Sequence, residues 1–388
     1  MTRRSIRWPT RRACLAASLA PWCVAPVTAQ TAVNPGVTGR QILIGQSLTL
    51  DAGKNDYGVA VRQGVEAALR QVNAAGGIHG RQLAIQVMDD GSKAPTAEAN
   101  ARKLVADGVF LLFGSIEGGP STAVMKVAVD NGVPFFGPMA GSPTLRRPRQ
   151  PLVFPVRAEH REEFGAILAH AQGLGMRRAA FLQSDSEVGR LHLGNAQIAA
   201  RALGLGEVMP LVIGSEVSDA QLDGFVKQLR DANIELLFNH GSAGVYERLI
   251  RKVRSVRLRL ALYGVNSGSA QLATRLGELA QGMVFTQVVP SPWERKTALT
   301  RDYQDAFRAA FNDQEFSYGS LEGYVTLRAL AESLRRAGPD LSRASLLRAL
   351  ADVSFDIAGF RLRYNGAEHV GSTYVDTAIV TREGRFRH

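Results

Sequence analysis

Two short stretches of this chain combine glycine, proline and hydroxyl residues in the way an anion site requires. The first is Gly114-Ser115-Ile116-Glu117-Gly118-Gly119-Pro120-Ser121-Thr122. Adjacent glycines leave backbone N–H groups uncovered, and Pro120 suits the first position of a helix, where no N–H is needed. A helix start carries roughly half a positive charge and unpaired donors, so it can hold a carboxylate or phosphate. The glycine spacing is not G-x-G-x-x-G, so the dinucleotide fingerprint is absent. The same glycines also suffice to make a tight turn. The second stretch is Gly137-Pro138-Met139-Ala140-Gly141-Ser142-Pro143-Thr144, where Ser142-Pro143 reads as an N-cap followed by a proline at the first helical position. Upstream, the polar loop from Leu50 to Gly58 carries Tyr57, which either closes over a ligand or is an ordinary exposed loop tyrosine.

Bond-making chemistry finds no such pattern. The sequence has no H-E-x-x-H, no Walker A stretch and no G-x-S-x-G elbow. His160 with Glu162 and Glu163 reads as a helix-start cluster, capping and solvated rather than metal-binding. Both cysteines, Cys14 and Cys23, lie in the N-terminal leader, so neither a disulfide nor a thiolate metal site is expected in the mature chain. No catalytic residue, metal or cofactor is assigned, and an enzyme is not expected.

Short apolar runs and longer amphipathic stretches alternate along the chain and must position these loops. Strands are expected at 41–47, 82–88, 109–113, 134–136, 179–183, 207–213, 236–239, 260–263 and 283–289. Helices fill the gaps, among them 59–74, 96–106, 121–130, 162–174, 191–203, 220–232, 245–253, 299–311 and 321–337. This order predicts an α/β fold with parallel sheets covered on both faces. So many strands would make one very wide sheet, so two doubly wound Rossmann-like lobes are the more physical solution. Prolines mark the crossings: Pro148 and Pro151 before the extended run Leu152–Val156, read as a connection, and Pro290 and Pro292 after Phe285. With a third crossing near Asp352–Ile357, the lobes would comprise 30–152 plus 290–352 and 153–289 plus 353–388, joined by three hinge crossovers suited to clam-shell closure. Ligands in such sheets bind beyond the carboxyl ends of strands, where the two stretches above are found.

Residues 1–29 hold Arg3, Arg4, Arg7, Arg11 and Arg12 with no acid, then an apolar stretch and Val27-Thr28-Ala29, the pattern of a cleaved signal peptide. Its apolar run is too short and too interrupted by Pro21 and Pro26 to span a bilayer. Those five arginines supply close to half of the formal net charge of +11 over 388 residues. What remains is a weak basis for nucleic-acid binding. The best basic cluster, Arg251, Lys252, Arg254, Arg257 and Arg259, alternates with Leu249, Ile250, Val253 and Val256 at helical spacing, so it reads as a solvated helix face.

Several motifs resemble the opening of the branched-chain amino-acid (leucine/isoleucine/valine) binding proteins of ABC transporters, which have the type I periplasmic solute-binding fold. These are Ile44-Gly45-Gln46-Ser47 through Tyr57-Gly58, Gly64-Val65-Glu66-Ala67-Ala68, and Val72-Asn73-Ala74-Ala75-Gly76-Gly77-Ile78-His79-Gly80-Arg81 with Asp89-Asp90 behind. Weaker similarity runs to about residue 380 and includes Asn131-Gly132-Val133-Pro134. The resemblance implies a periplasmic protein that captures a small molecule in an interlobe cleft and delivers it to an inner-membrane ABC permease, and a monomer suits such a shuttle. A sensor reporting to a membrane receptor would share the same fold. The resemblance also implies that the ligand carboxylate meets the loops at Glu117-Gly118-Gly119 and Ala140-Gly141-Ser142. Glycine stands at both apparent hydroxyl positions, Gly118 and Gly141. The family's ammonium-binding acid is matched by Asn266, and an amide cannot offset a buried ammonium as a carboxylate does. An organic acid or amino-acid derivative is therefore expected, with amino-acid binding proper as the alternative, and Asn266→Glu is expected to shift preference toward amino acids. Glu117 or Asp185 could supply the missing charge. From the second lobe, Asp185, His240, Ser242 and Asn266 are expected at the cleft.

Overall fold

The computed structural model describes residues 1–2, 34–50, 55–241 and 243–388. The leader from residue 3 and the loop residues 51–54 lie outside the described residues, as does Ser242.

The alternation of apolar runs and amphipathic stretches folds as two sheets. The first half supplies β1 (Gln41–Leu48), α1 (Asp56–Ala74), β2 (Gln82–Asp89), α2 (Ala94–Ala106), β3 (Leu112–Phe113), α3 (Gly118–Asp130), β4 (Phe135–Phe136) and β5 (Val153–Phe154). All five strands pair in parallel, in the order β2-β1-β3-β4-β5. Next come α4 (His160–Gly173), β6 (Ala179–Ser184), α5 (Glu187–Ala202), β7 (Met209–Ile213), α6 (Asp219–Asp231), β8 (Leu236–Asn239), α7 (Ala243–Ser255), β9 (Ala261–Gly264), α8 (Ser269–Leu276) and β10 (Val284–Gln287). Then α9 (Ala298–Ala310), α10 (Tyr318–Arg336) and α11 (Arg343–Ala349) precede β11 (Val353–Ile357), β12 (Phe360–Tyr364), β13 (His369–Gly371), β14 (Asp376–Val380) and β15 (Phe386–Arg387). The second sheet runs β15-β14-β10-β9-β8-β6-β7, in which β14 is antiparallel to both of its neighbours, β10 and β15, and the remaining pairs are parallel. Its parallel part repeats the strand order of the first sheet, and in both the order reverses between two central strands. That reversal opens a crevice at the strands' carboxyl ends.

Each sheet is covered on both faces. Apolar residues of α1, α9, α10 and α11 pack on one face of the first sheet, those of α2 and α3 on the other. The second sheet is buried between α4 and α5 on one side and α6, α7 and α8 on the other. In α7, Leu249, Ile250 and Val253 are buried while Arg251 and Lys252 pair outward with Glu247 and Asp223. Among the described residues no helix is long and apolar enough to cross a membrane.

Two expectations about the crossings differ from the structure. The run Leu152–Val156, read as a connection, contains β5, whose Val153 and Phe154 are buried and pair with Phe135 and Phe136. Two residues between prolines are too short a run to stand out as a strand. The tail 353–388, expected whole in the second lobe, is divided. β14 and β15 join the second sheet, whereas β11–β13 form a separate three-stranded sheet. Phe355, Ile357, Phe360, Leu362 and Tyr364 of that small sheet pack into the first sheet's core. The chain therefore enters the second sheet only after Gly371. There, Ser372 N–H donates to Val156 O at 2.8 Å, so two crossovers lie side by side.

The α1–α10 contact holds the first lobe's helices at close range. A Cβ on Gly64 would stand 1.7 Å from the Ser320 carbonyl oxygen, a backbone atom that cannot turn aside. Gly64→Ala is expected to lower the unfolding free energy by about 3 kcal/mol, at the upper end of overpacking costs. Chemical denaturation checks this, and a change within about 0.5 kcal/mol would mean the helices slide apart freely.

Candidate functional site

A cleft of about 340 Å³ lies at the reversal points of both sheets. From the first sheet it is lined by Asn55, Tyr57, Glu117, Gly118 and Ala140. Asn55 caps α1 by accepting from Gly58 N–H at 3.2 Å, and its Nδ2 donates to Glu117 Oε1 at 2.9 Å. Asp90, the second member of the acidic pair, accepts from Ser47 and Thr49 hydroxyls at 2.9 and 2.8 Å and so steadies the end of β1. Ser115 Oγ donates to Ser121 Oγ at 2.7 Å, closing the loop before α3. Within that loop Glu117 adopts φ 63° and ψ 150°. Partial desolvation in the cleft holds its carboxyl above the ordinary range. The charge of Asp90 adds to this, against hydrogen bonds from Ser92 and Asn55.

From the second sheet the lining comprises His160, Asn239, His240, Gly241 and Ala243, then Val265, Ser267, Gly268, Gln271, Leu272 and Phe285. His160 and His240 stand 4.2 Å apart between ring centroids, and His192 lies 3.9 Å from His240. Burial keeps all three imidazoles neutral: His192 is pushed down to about 4, the other two well below their ordinary value, helped by the cationic Arg157.

Behind the cleft, a buried polar network joins the two lobes. Arg157 donates to Glu163 Oε1 at 2.5 Å and faces Glu322 Oε1 at 3.8 Å, with all three side chains at most 1% exposed. Tyr57 Oη donates to Glu322 Oε2 at 2.5 Å, and Asn266 Nδ2 donates to the same oxygen at 3.2 Å. Glu163 also accepts from Asn266 N–H at 2.9 Å and Thr286 Oγ1 at 2.6 Å, and lies 2.8 Å from His160 Nδ1. Burial lifts the Glu322 carboxyl above its usual range, although Arg157 opposes it. Burial also opposes the charge of Arg157, but the two carboxylates outweigh it and hold the guanidinium above its usual value. His160 and Glu163 are thus buried members of this network, not the solvated cap the sequence pattern indicated; only Glu162 of that cluster is partly exposed. Among the described residues no group of three or more His, Cys, Asp or Glu side chains could hold a metal ion.

Of the residues singled out in the sequence, the cleft is lined by Tyr57, Glu117, Gly118, Ala140 and His240. Gly119, Gly141 and Ser142 sit next to it without lining it. Ser142 Oγ is 2.9 Å from Thr144 Oγ1, and a Cβ on Gly141 would stand 2.6 Å from the His160 ring. Asp185 is two-thirds exposed and pairs with Arg190 at 3.2 Å. Asn266 is 2% exposed and bonded into the network. Asn55, His160, Asn239 and Gln271 were not found from sequence. Asn55 alone carried a local signal there, as an N-cap residue before the first helix.

Comparison with known proteins agrees with this architecture. A family model described as periplasmic binding protein matches residues 41–384. A Leu/Ile/Val-binding protein homolog 1 from Brucella abortus is 25% identical over 339 residues, covering 84% of this chain and 88% of that protein. Among solved structures, an extracellular ligand-binding receptor from Verminephrobacter eiseniae is 26% identical with a TM-score of 0.78, covering 90% of this chain and all of that one. A possible leucine/isoleucine/valine-binding protein from Rhodopirellula baltica, 24% identical, shares the fold at a TM-score of 0.79, covering 90% of this chain and 96% of that one. Two doubly covered parallel sheets with a cleft at their reversal points, and a family match over nearly the whole described chain, lead to one conclusion: this chain belongs to the periplasmic binding proteins and has their type I α/β fold.

Proposed function

We propose that this protein is the periplasmic substrate-binding component of an ABC importer. It captures a small carboxylate-bearing solute in the cleft by hinge closure and passes it unchanged to an inner-membrane permease. The observation that carries this reading is the cleft itself, lined from both sheets at the points where strand order reverses. The Brucella relative, named for leucine, isoleucine and valine, supports a ligand of amino-acid size. The lobes of this proposal are the two sheets with their covering helices, and the hinges are the crossovers at 155–159, 288–297 and 372–375. Closure needs no chemistry: a ligand touching both lobes favours the closed form by its differential affinity. The protein acts as a monomer in the periplasm after loss of the 1–29 leader, with no cofactor and no nucleic-acid partner.

The carboxylate rests on the backbone donors at the start of α3, where Gly118 lines the cleft. A thermal-shift screen of refolded, ligand-stripped protein against carboxylates and their decarboxylated analogues tests this. Binding to the native state adds about 2.7 kcal/mol of stability at a hundredfold excess over Kd. Equal shifts from the decarboxylated analogues would defeat the reading. Gly118→Ser sharpens the test. A Cβ there meets only Ser142 atoms, 3.6 and 3.8 Å away, so the new hydroxyl fits and is expected to tighten carboxylate binding about tenfold.

A further inference from the structure

We infer that Glu117 is the cation partner of the ligand, so that the cleft takes a solute carrying a protonated nitrogen next to its carboxylate. This rests on the carboxylate reading above and adds the second charge to it. Among the described lining residues Glu117 alone bears a formal charge, and it is exposed to the cleft. No lysine or arginine pairs with it among the described residues, so its partners there are the neutral Asn55 amide and Ser92 hydroxyl. A carboxylate offers about four acceptor sites, so capacity remains for a donor brought by the ligand.

The backbone points the same way. Glu117 lies at φ 63° and ψ 150°, a region that is essentially glycine's alone, yet a long acidic side chain is kept there between glycine-rich neighbours. Gly118 follows directly and opens α3, whose first N–H groups have no partner within the helix. A carboxylate immediately before a cluster of anion-binding donors matches a head group whose own two charges are neighbours.

The other carboxylates near the cleft are committed elsewhere. Asp185 faces solvent with Arg190. Glu163 and Glu322 are buried behind the lining and share Arg157. Asn266, at the position where the resemblance places an acid, donates to Glu322 instead. Both head-group charges are therefore met by loops of the first sheet. The neutral lining from the second sheet, such as Asn239, Gln271, Leu272 and Phe285, is left to read the remainder of the ligand.

The test is titration calorimetry with matched triads: each common amino acid, its des-amino acid and its decarboxylated amine. Wild type is expected to bind at least one amino acid tenfold or more tightly than its des-amino partner. Glu117→Gln, which keeps an acceptor for Asn55, is expected to remove that margin by weakening the amino acid tenfold or more, while the des-amino acid, relieved of a neighbouring negative charge, binds no more weakly than to wild type. Glu117→Gln retaining the margin, or no amino acid binding better than its des-amino partner, would overturn the assignment. Amines binding as tightly as the amino acids would instead defeat the carboxylate reading and leave the role of Glu117 standing, provided Glu117→Gln still weakened them.

Discussion

Arg157→Met is expected to cost about 3–5 kcal/mol of unfolding free energy, the loss that follows when a buried charge is left without its partner. The guanidinium is 1% exposed and is the cation against which both Glu163 and Glu322 are set. Methionine fills much of the volume, so the loss reports charge rather than a cavity. Urea denaturation at neutral pH measures it. The control is the triple variant Arg157→Met/Glu163→Gln/Glu322→Gln, which removes all three charges and should recover most of the loss, since neutral replacement of a whole buried ion set is often tolerated. Loss in the triple variant equal to that of the single one would mean that packing, not charge, explains Arg157. The effect should also reach ligand binding, because the network spans residues of both sheets and passes through Tyr57, which lines the cleft.

Asn266→Glu carries the second large effect, and here the geometry argues against the simple reading of the family resemblance. An acid at this position would restore the family pattern and so favour amino acids. In this protein the Asn266 amide donates to Glu322 Oε2, and its N–H donates to Glu163 Oε2. A third carboxylate beside these two, with Arg157 as their shared cation, is expected to lower stability by about 3 kcal/mol or more and to give no gain in amino-acid affinity. Denaturation together with calorimetry against the amino-acid panel checks both parts. Adding Glu322→Gln should recover stability by removing the opposing charge. Tighter amino-acid binding by Asn266→Glu would show that residue 266 reaches the ligand, and the assignment of the cation to Glu117 would then fall.

The elements were legible because their signals are local. β1, β2, β6 and β8 appear as apolar runs, and α1 through α7, α9 and α10 show helical periodicity, with boundaries mostly within a few residues. The loops after β3 and β4 were recognisable as turns rich in glycine and proline, and the loop after β1 as a polar strand-to-helix connection; together they supply Tyr57, Glu117, Gly118 and Ala140 to the cleft. β5 and the split of the C-terminal tail were not legible. Two-residue strands have no period, and β11–β13 look the same in sequence whichever core they join. His160 and Glu163 were misread because burial of a charged cluster depends on partners far away in the chain.

The amino-acid order was enough to establish two doubly wound lobes, glycine-rich loops at strand ends and the absence of familiar catalytic motifs. Each follows from patterns within a turn, a strand or a helix. Three-dimensional packing decided where the lobes divide, which residues face the cleft and which charges are spoken for. Tyr57 meets Glu322 across 265 residues of chain, and Arg157 becomes a buried cation only where those elements converge. Such pairings depend on distance in space and on exclusion of water, and neither leaves a mark in local sequence spacing.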